Sequence, residues 1–180
     1  MAEMMLTLEG RHFRRNYLLY IIEITHGNDK HFYIGQTGDH KYVTARPAYR
    51  RLAGHLSDVG KSTENQVYRY LVEKVIGFKE AIGNKNKFSD EVKKAVEDYL
   101  VNSTVKMYIY PLQDFKPGID QANHLQNVRK VTLFEKMVTK LFVGNSIEIA
   151  NKKITKPKLG VECPYPMVLD EIVSDFNLKQ

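Results

Sequence analysis

Two short apolar runs joined by a turn, YLLYIIEITHGNDKHFYIGQT (residues 17–37), decide the fold of this chain. Residues 17–24 and 31–36 are rich in β-branched and aromatic side chains, which favour strands. The residues between the runs include three turn formers, Gly27, Asn28 and Asp29. The stretch therefore predicts an antiparallel hairpin with tyrosines on both strands.

Downstream of the hairpin, the apolar residues adopt a helical spacing. A first amphipathic helix is predicted over 47–57, because Tyr49, Leu52, Ala53 and Leu56 follow Pro47 at intervals of three and four. Thr63 and Gln66 fit a capping box that opens a second helix, with Phe78 on its apolar stripe. Ser89 suits the N-cap of a third helix.

The remaining elements are a third strand, a long helix and a short one. Residues 105–112 alternate apolar with polar or tyrosine side chains and stop at Pro111, which predicts a strand. Residues 121–143 form the longest helical window, which Gly144 and Asn145 are expected to end. A short helix begins near Pro166. The order predicts an α+β fold with a small, mostly antiparallel three-stranded sheet flanked by helices.

The 180 residues suit a single domain, 1–180. We expect a core at about 17–145, with an N-terminal arm, a helical insertion at about 77–104 and a basic C-terminal tail, 146–180.

Composition indicates which cellular compartment and which kind of binding partner to expect. The single Cys163 excludes an intramolecular disulfide, and no run of 18 apolar residues occurs, so we expect a cytoplasmic protein without a membrane segment. Lys and Arg total 27 against 21 acids, for a net charge of +6. A positive surplus favours nucleic acid as a partner but does not establish it.

Five residues in a fixed order carry the functional prediction. They are Tyr20 on the first strand, Tyr33 in YIG on the second, Arg51 and His55 on the next helix, and Glu135 on a late helix. Together with Asn145 ten residues later, this order resembles the GIY-YIG nuclease family over residues 17–145. The first motif reads Leu18, Leu19, Tyr20, with leucine where the family often has glycine.

The resemblance implies a Mg²⁺- or Mn²⁺-dependent DNA endonuclease that hydrolyses phosphodiester bonds. Tyr33 would be the general base, Tyr20 would position the water or phosphate, and Arg51 would hold the phosphate. His55 would relay or hold a proton, and whether it or Tyr33 accepts the proton stays open. Glu135 would bind the metal. Asn145 would support the site, and Lys41, eight residues after Tyr33, would lower a tyrosine pKa.

Each residue also has an ordinary structural explanation. Tyr20 and Tyr33 could simply pack in the sheet, and Arg51 and His55 could lie on a solvated helix face. Glu135 follows Thr132 at capping-box spacing, although apolar spacing upstream places it in mid-helix. Asn145 could be an ordinary helix stop.

Basic residues outside this set are candidate contacts to double-stranded DNA. They are Arg14 and Arg15 in the arm, Arg50 on the first helix, and Lys152, Lys153 and Lys156 in the tail. A compact, restriction-like enzyme that cuts both strands of a palindrome would act as a homodimer. The alternatives are a non-catalytic nucleic-acid-binding module on the same scaffold, or a basic interaction protein with an accidental motif.

Overall fold

The computed structural model describes residues 7–57, 65–77, 89–151 and 160–179. Their strands are β1 (Asn16–His26), β2 (Asp29–Gln36) and β3 (Thr104–Asp114). Their helices are α1 (Ala48–Leu56), α2 (Gln66–Tyr70), α3 (Asp90–Val101), α4 (Gln121–Gly144) and α5 (Pro166–Asp175). A 3₁₀ turn at Gly10–Phe13 precedes β1, and a π-helical turn at Leu71–Ile76 extends α2.

The three strands form one antiparallel sheet in the order β2-β1-β3. The hairpin predicted from the sequence is therefore confirmed, and so are the α+β class and the three-stranded sheet. In this register the central strand places Tyr20 opposite Gly35 of β2 and opposite Ile109 of β3. Motif residues that are distant in sequence thus become neighbours across the sheet.

The central strand is buried on both faces, which explains why its sequence is almost continuously apolar. On one face, Leu18, Tyr20 and Ile22 pack with residues of α1, α2 and α3. On the other face, Leu19 and Ile21 pack with residues of α4 and α5. The sheet is thus the middle layer between two groups of helices.

The third strand continues past Pro111, where the sequence predicts its end. It runs to Asp114, and its register with β1 shifts between Tyr17 and Leu18. Leu18 pairs with Pro111 whereas Tyr17 pairs with Gln113, so β3 carries one extra residue at this point. Proline is tolerated here because β3 lies at the sheet edge and the ladder is already interrupted by the bulge.

The long helix begins with a side-chain cap and ends one residue later than predicted. The carboxylate of Asp120 accepts a hydrogen bond from the backbone N–H of Asn123 at 2.9 Å. Gly144 is still helical and Asn145 is the C-cap, with its N–H bonded to the Leu141 carbonyl at 3.1 Å. The left-handed residue that turns the chain away is Ser146, with φ of 60°.

The other helices follow their sequence signals where they are described. The first helix and the Ser89 cap are confirmed, the latter by a 3.3 Å bond from the Val92 N–H to the serine hydroxyl. The second helix changes to a π-helical turn after Tyr70. Thr63 and Phe78, which the sequence assigns to that helix, lie outside the described residues.

The stretch 146–180, set apart as a tail in the sequence, contributes to the core through its described residues. Ile149 forms a parallel bridge with Phe32, and the amide of Asn151 bonds the Ile34 N–H at 2.9 Å. These contacts cover the outer edge of β2. The predicted final helix is confirmed, and its Ile172 is fully buried beneath the sheet.

Across the described parts of the chain, no helix is both long enough and apolar enough to cross a membrane.

Candidate active site

The first helix brings two functional side chains to the hydroxyl of Tyr20. Arg51 and His55 are four residues apart on α1, so their side chains leave the same side of the helix. The Arg51 Nε–H donates to the Tyr20 Oη at 3.0 Å, and the His55 Nε2 lies 2.7 Å from the same oxygen. A fully buried tyrosine hydroxyl is thus held between a cation and an imidazole.

The glycine of the YIG sequence makes room for that tyrosine. Gly35 lies opposite Tyr20 in the sheet, and the ring of Tyr20 crosses its backbone. A Cβ on Gly35 would lie 2.5 Å from the Tyr20 Cζ, far inside van der Waals contact. Any side chain at this position would therefore push the Tyr20 ring away from Arg51 and His55.

Tyr33 joins the same group of side chains from the second strand. It precedes Gly35 by two residues, so both residues face the same side of the sheet. Its ring centroid is 4.3 Å from that of His55 and 6.2 Å from that of Tyr20. Burial raises the pKa of Tyr33, and the nearby Tyr20 adds to that rise.

Glu135 reaches this group from the long helix. It lies in the middle of α4, which excludes the helix-start explanation of its spacing. It is half-buried, and no hydrogen bond from the described residues accounts for its carboxylate. Its negative charge raises the pKa of both Tyr20 and Tyr33. It is therefore close enough to act on the same centre.

Burial is the main cause of the pKa shifts of Glu135, Tyr20 and Tyr33. It raises the pKa of Glu135 to about 7, against the opposing charges of Arg51 and Lys136. It raises the pKa of Tyr20 to about 12, even though Arg51 lowers it, and it raises the pKa of Tyr33 well above 10. A phenolate at either tyrosine therefore needs additional positive charge.

His55 is neutral and incompletely bonded. Burial, assisted by the nearby Arg51 charge, lowers the pKa of His55 to about 3. Its Nδ1 has no hydrogen-bond partner within the described segments, although the side chain is fully buried. A buried polar atom without a partner costs about 1 to 3 kcal/mol, so its retention calls for an explanation.

The two supporting residues lie apart from these side chains. Lys41 is exposed on the loop after β2, where its ammonium lies 5.2 Å from the ring centroid of Tyr42. The Asn145 amide donates to the Leu141 and Lys179 carbonyls at 2.9 and 3.0 Å. In the described structure Asn145 thus closes the long helix and fixes the C-terminal segment.

The candidate DNA contacts fall into two groups. Arg14, Arg15 and Arg50 are exposed, as a phosphate contact requires. Lys152, Lys153 and Lys156 lie outside the described residues.

A Mg²⁺ or Mn²⁺ ion is compatible with the residues present. In the described ranges, no three His, Cys, Asp or Glu side chains come together as a metal cage. Mg²⁺ does not need one, because it commonly uses one or two carboxylates, several waters and substrate phosphates. Glu135 fits this pattern, since its half-buried carboxylate has an elevated pKa and lacks a hydrogen bond from the described chain.

The sequence did not reveal the role of Asn151, which holds the backbone of the strand that carries Tyr33. Asn151 bonds both the N–H and the C=O of Ile34, the residue between Tyr33 and Gly35, at 2.9 and 2.6 Å. It thereby fixes the strand that carries Tyr33. The sequence offered only a polar residue before a lysine pair, and no local pattern links it to β2.

A scan against protein-family models finds no match, and searches of the curated proteins and the solved structures find none that is significant.

Proposed function

We propose that this protein is a divalent-metal-dependent DNA endonuclease of the GIY-YIG type. The observation that supports it is the convergence of Tyr20, Tyr33, Arg51 and His55 on one face of the sheet, within electrostatic reach of Glu135. An accidental motif would have no reason to bring side chains from three separate elements into contact with a carboxylate of a fourth within electrostatic reach.

In this proposal, Arg51 binds a nonbridging oxygen of the scissile phosphate. Its guanidinium already donates to Tyr20 through Nε, which leaves the terminal nitrogens for the phosphate. The bond to Tyr20 fixes the orientation of the guanidinium before the substrate arrives. A preorganised cation of this kind stabilises the charge that develops on the phosphoryl group.

Proton removal from the attacking water would use the side chains of Tyr33, Tyr20 and His55 in turn. The Tyr33 and Tyr20 ring centroids are 6.2 Å apart, and the Tyr20 hydroxyl lies 2.7 Å from His55 Nε2. Tyr33 can accept a proton from water while it passes its own proton along this chain to His55. No phenolate has to persist, which suits tyrosines whose pKa values burial raises. The phosphate charge on Arg51 would favour protonation of His55 by offsetting the nearby cation.

Glu135 would hold the metal ion. When bound, Mg²⁺ or Mn²⁺ would stabilise negative charge on the leaving oxygen. An ion there would also favour the ionised form of Glu135, whose pKa burial raises to about 7.

A non-catalytic DNA-binding module is the second candidate. The high pKa values of both tyrosines favour it, since they oppose base catalysis when no metal is bound. Such a module would bind DNA with strong salt dependence and leave it intact with any metal.

Plasmid cleavage separates the two functions. Supercoiled plasmid is incubated with the wild-type chain and with Glu135→Gln, each in Mg²⁺, in Mn²⁺ and in EDTA. We expect cutting only by the wild type with metal, and discrete fragments if the enzyme is site-specific. Gel-filtration analysis with a palindromic duplex then tests whether a homodimer forms.

The matched control is Lys140→Gln, which changes an exposed residue on the same helix without removing a proposed ligand. It should cut as the wild type does. Retarded but uncut plasmid with every metal, from a correctly folded wild-type protein, would reject the endonuclease and leave the binding module.

A further inference from the structure

A groove of about 520 Å³ lies next to the tyrosines, on the same face of the sheet. Its lining includes Leu18 of β1, Ile109 of β3 and Ala48 at the start of α1. Leu18 precedes Tyr20 by two residues and Ile109 is the cross-strand partner of Tyr20, so the apolar surface of the groove adjoins the candidate site. Ile109 is only half-buried, so part of this surface is open.

The lining of the groove also carries basic side chains. It includes Arg11 and Arg14 from the 3₁₀ turn and its end, while Asp114 supplies a carboxylate. Arg11 forms an ion pair with Glu9 at 2.6 Å. The Arg14 side chain is exposed and bonds no other described residue. Arg14 is therefore the cation best placed to take a phosphate.

An exposed aromatic pair adjoins the lining of this groove, since Phe13 stands between the lining residues His12 and Arg14 in sequence and Tyr49 follows Ala48. Phe13 of the 3₁₀ turn and Tyr49 of α1 lie with ring centroids 4.8 Å apart. They remain 50% and 38% exposed, respectively. Large exposed aromatics beside arginines are the ordinary composition of a surface that stacks nucleic-acid bases.

Paired duplex DNA cannot use these features fully. The bases of a duplex are stacked inside the helix, and its outer surface offers phosphates and sugars. These groups can bind arginines, but they cannot pack against the apolar surface of the groove or stack on the exposed rings. An unpaired nucleotide offers both a base with an apolar face and a phosphate. The composition of the groove thus matches a single-stranded segment better than a duplex.

We propose that this groove binds an unpaired segment of the DNA substrate, with a base against Phe13 and the apolar floor and a phosphate on Arg14. The proposal rests on the proposed endonuclease function and specifies its substrate as DNA with unpaired nucleotides beside the scissile phosphate. The adjacency of Leu18 and Ile109 to Tyr20 sets that position.

Fluorescence anisotropy with the uncut Glu135→Gln chain tests this substrate class. The probes are a short paired duplex and the same duplex with a single-stranded flap that carries 2-aminopurine, both in EDTA. We expect the flapped DNA to bind at least about 10-fold more tightly, with quenching of the 2-aminopurine fluorescence by stacking. Phe13→Ala in this background should remove most of that preference and leave the affinity for the paired duplex within about 2-fold.

The controls keep the outcome decisive. Lys94→Gln removes one positive charge on α3, where the lysine is paired with Asp98 at 2.8 Å, and should change neither affinity. Arg14→Gln, at an exposed position, should weaken flap binding even if Phe13→Ala folds poorly. Equal affinity for the two DNAs, or equal loss for both in Phe13→Ala, would overturn the proposal.

Failure of this inference and failure of the proposed function give different results. Plasmid cleavage by the wild type in Mg²⁺ without any flap preference would keep the endonuclease and reject the groove. A flap preference that depends on Phe13, without cleavage of plasmid or flapped DNA, would keep the groove and reject the endonuclease.

Discussion

Two buried tyrosine–histidine pairs start from the same strand, and they differ in what surrounds them. Tyr17 lies 2.7 Å from His124 Nδ1, and Tyr20 lies 2.7 Å from His55 Nε2. All four side chains are fully buried. Tyr17 packs against Val128 of α4, whereas Tyr20 is held by α1 on the other face of the sheet.

The first pair has every hydrogen bond it needs. His124 Nε2 lies 2.7 Å from the carbonyl of Asp39, which can only accept, so Nε2 carries the proton and Nδ1 accepts from Tyr17. This pair joins β1, the start of α4 and the loop after β2. Within the described residues, neither Tyr17 nor His124 has a buried polar atom without a partner.

The second pair, Tyr20 and His55, has interactions that packing alone does not require. Arg51 also donates to Tyr20, Glu135 acts on it through its charge, and the Nδ1 of His55 lacks a partner among the described residues. A buried tyrosine–histidine pair is therefore not by itself a sign of function. The additional charges and the unpaired nitrogen distinguish the candidate site from a structural bond.

The largest expected effect separates the two pairs by activity. Tyr33→Phe should lower the rate of DNA cleavage by at least about 100-fold, because it breaks the proposed proton chain at its first hydroxyl. Tyr17→Phe should keep the rate within about 2-fold and lower the free energy of unfolding by about 1 kcal/mol through the lost bond to His124. Single-turnover cleavage and urea unfolding measure the two quantities.

Equal rates for Tyr33→Phe and the wild type would show that the Tyr33 hydroxyl takes no part. A large loss of rate in a stably folded Tyr17→Phe would remove the distinction between the pairs.

Two glycines extend the comparison through sterics. A Cβ on Gly35 would lie 2.5 Å from the Tyr20 Cζ, and one on Gly38 would lie 2.8 Å from the Val128 Cγ2 beside the Tyr17 pair. Both Gly→Ala variants should lower the free energy of unfolding by about 2 kcal/mol through overpacking. Only Gly35→Ala should also abolish cleavage below its unfolding temperature, since it displaces Tyr20 from Arg51 and His55.

Gly10→Ala is the matched control, because no atom of the described residues lies within 4 Å of a Cβ at that position. It should change neither stability nor rate by a measurable amount. Retention of full activity in Gly35→Ala would mean that the position of the Tyr20 ring is unimportant.

The pH dependence of stability isolates the second pair. The pKa of His55 is lowered from 6.5 to about 3, so below pH 6.5 the unfolded chain takes up a proton that the native chain does not. The contribution of His55 to stability is complete above pH 6.5 and declines as pH falls toward 3, by about 2 kcal/mol between pH 6.5 and pH 5. Glu135 contributes in the opposite direction over this interval, so the quantity to measure is the difference between wild type and His55→Gln, which keeps Glu135. Thermal unfolding at a series of pH values should show that the wild type loses about 2 kcal/mol relative to His55→Gln between pH 6.5 and pH 5.

The sequence predicted the layers of the fold because their patterns are local. The double-sided burial of β1 appears as a continuous apolar run, and the period of α4 appears over more than twenty residues. The candidate site could be predicted for the same reason, because the local sequence predicts each strand or helix on which its residues lie. These residues are Tyr20, Tyr33, Arg51, His55 and Glu135.

The remaining features depend on contacts between distant segments. Nothing around His124 indicates that it bonds Tyr17, and nothing around Asn151 indicates that it fixes the backbone of Ile34. The end of α4 was misplaced for a related reason. Gly144 is a strong local stop signal, yet Ser146 adopts the left-handed turn while Asn145 is held by Lys179 near the C-terminus. Tertiary contacts override local preference at such positions.

The smallest expected effect is the stabilisation of the folded protein by a metal ion bound at Glu135. Its pKa is raised from 4.5 to about 7, so its stability contribution is complete below pH 4.5 and is lost as pH rises through 7. A bound cation would restore that loss. At pH 8, Mg²⁺ at ten times its dissociation constant should stabilise the wild type by about 1.4 kcal/mol, or a few degrees in Tm, and leave Glu135→Gln unchanged. Equal Tm shifts in both proteins would place the ion elsewhere and remove Glu135 from its proposed metal-binding role beside the second pair.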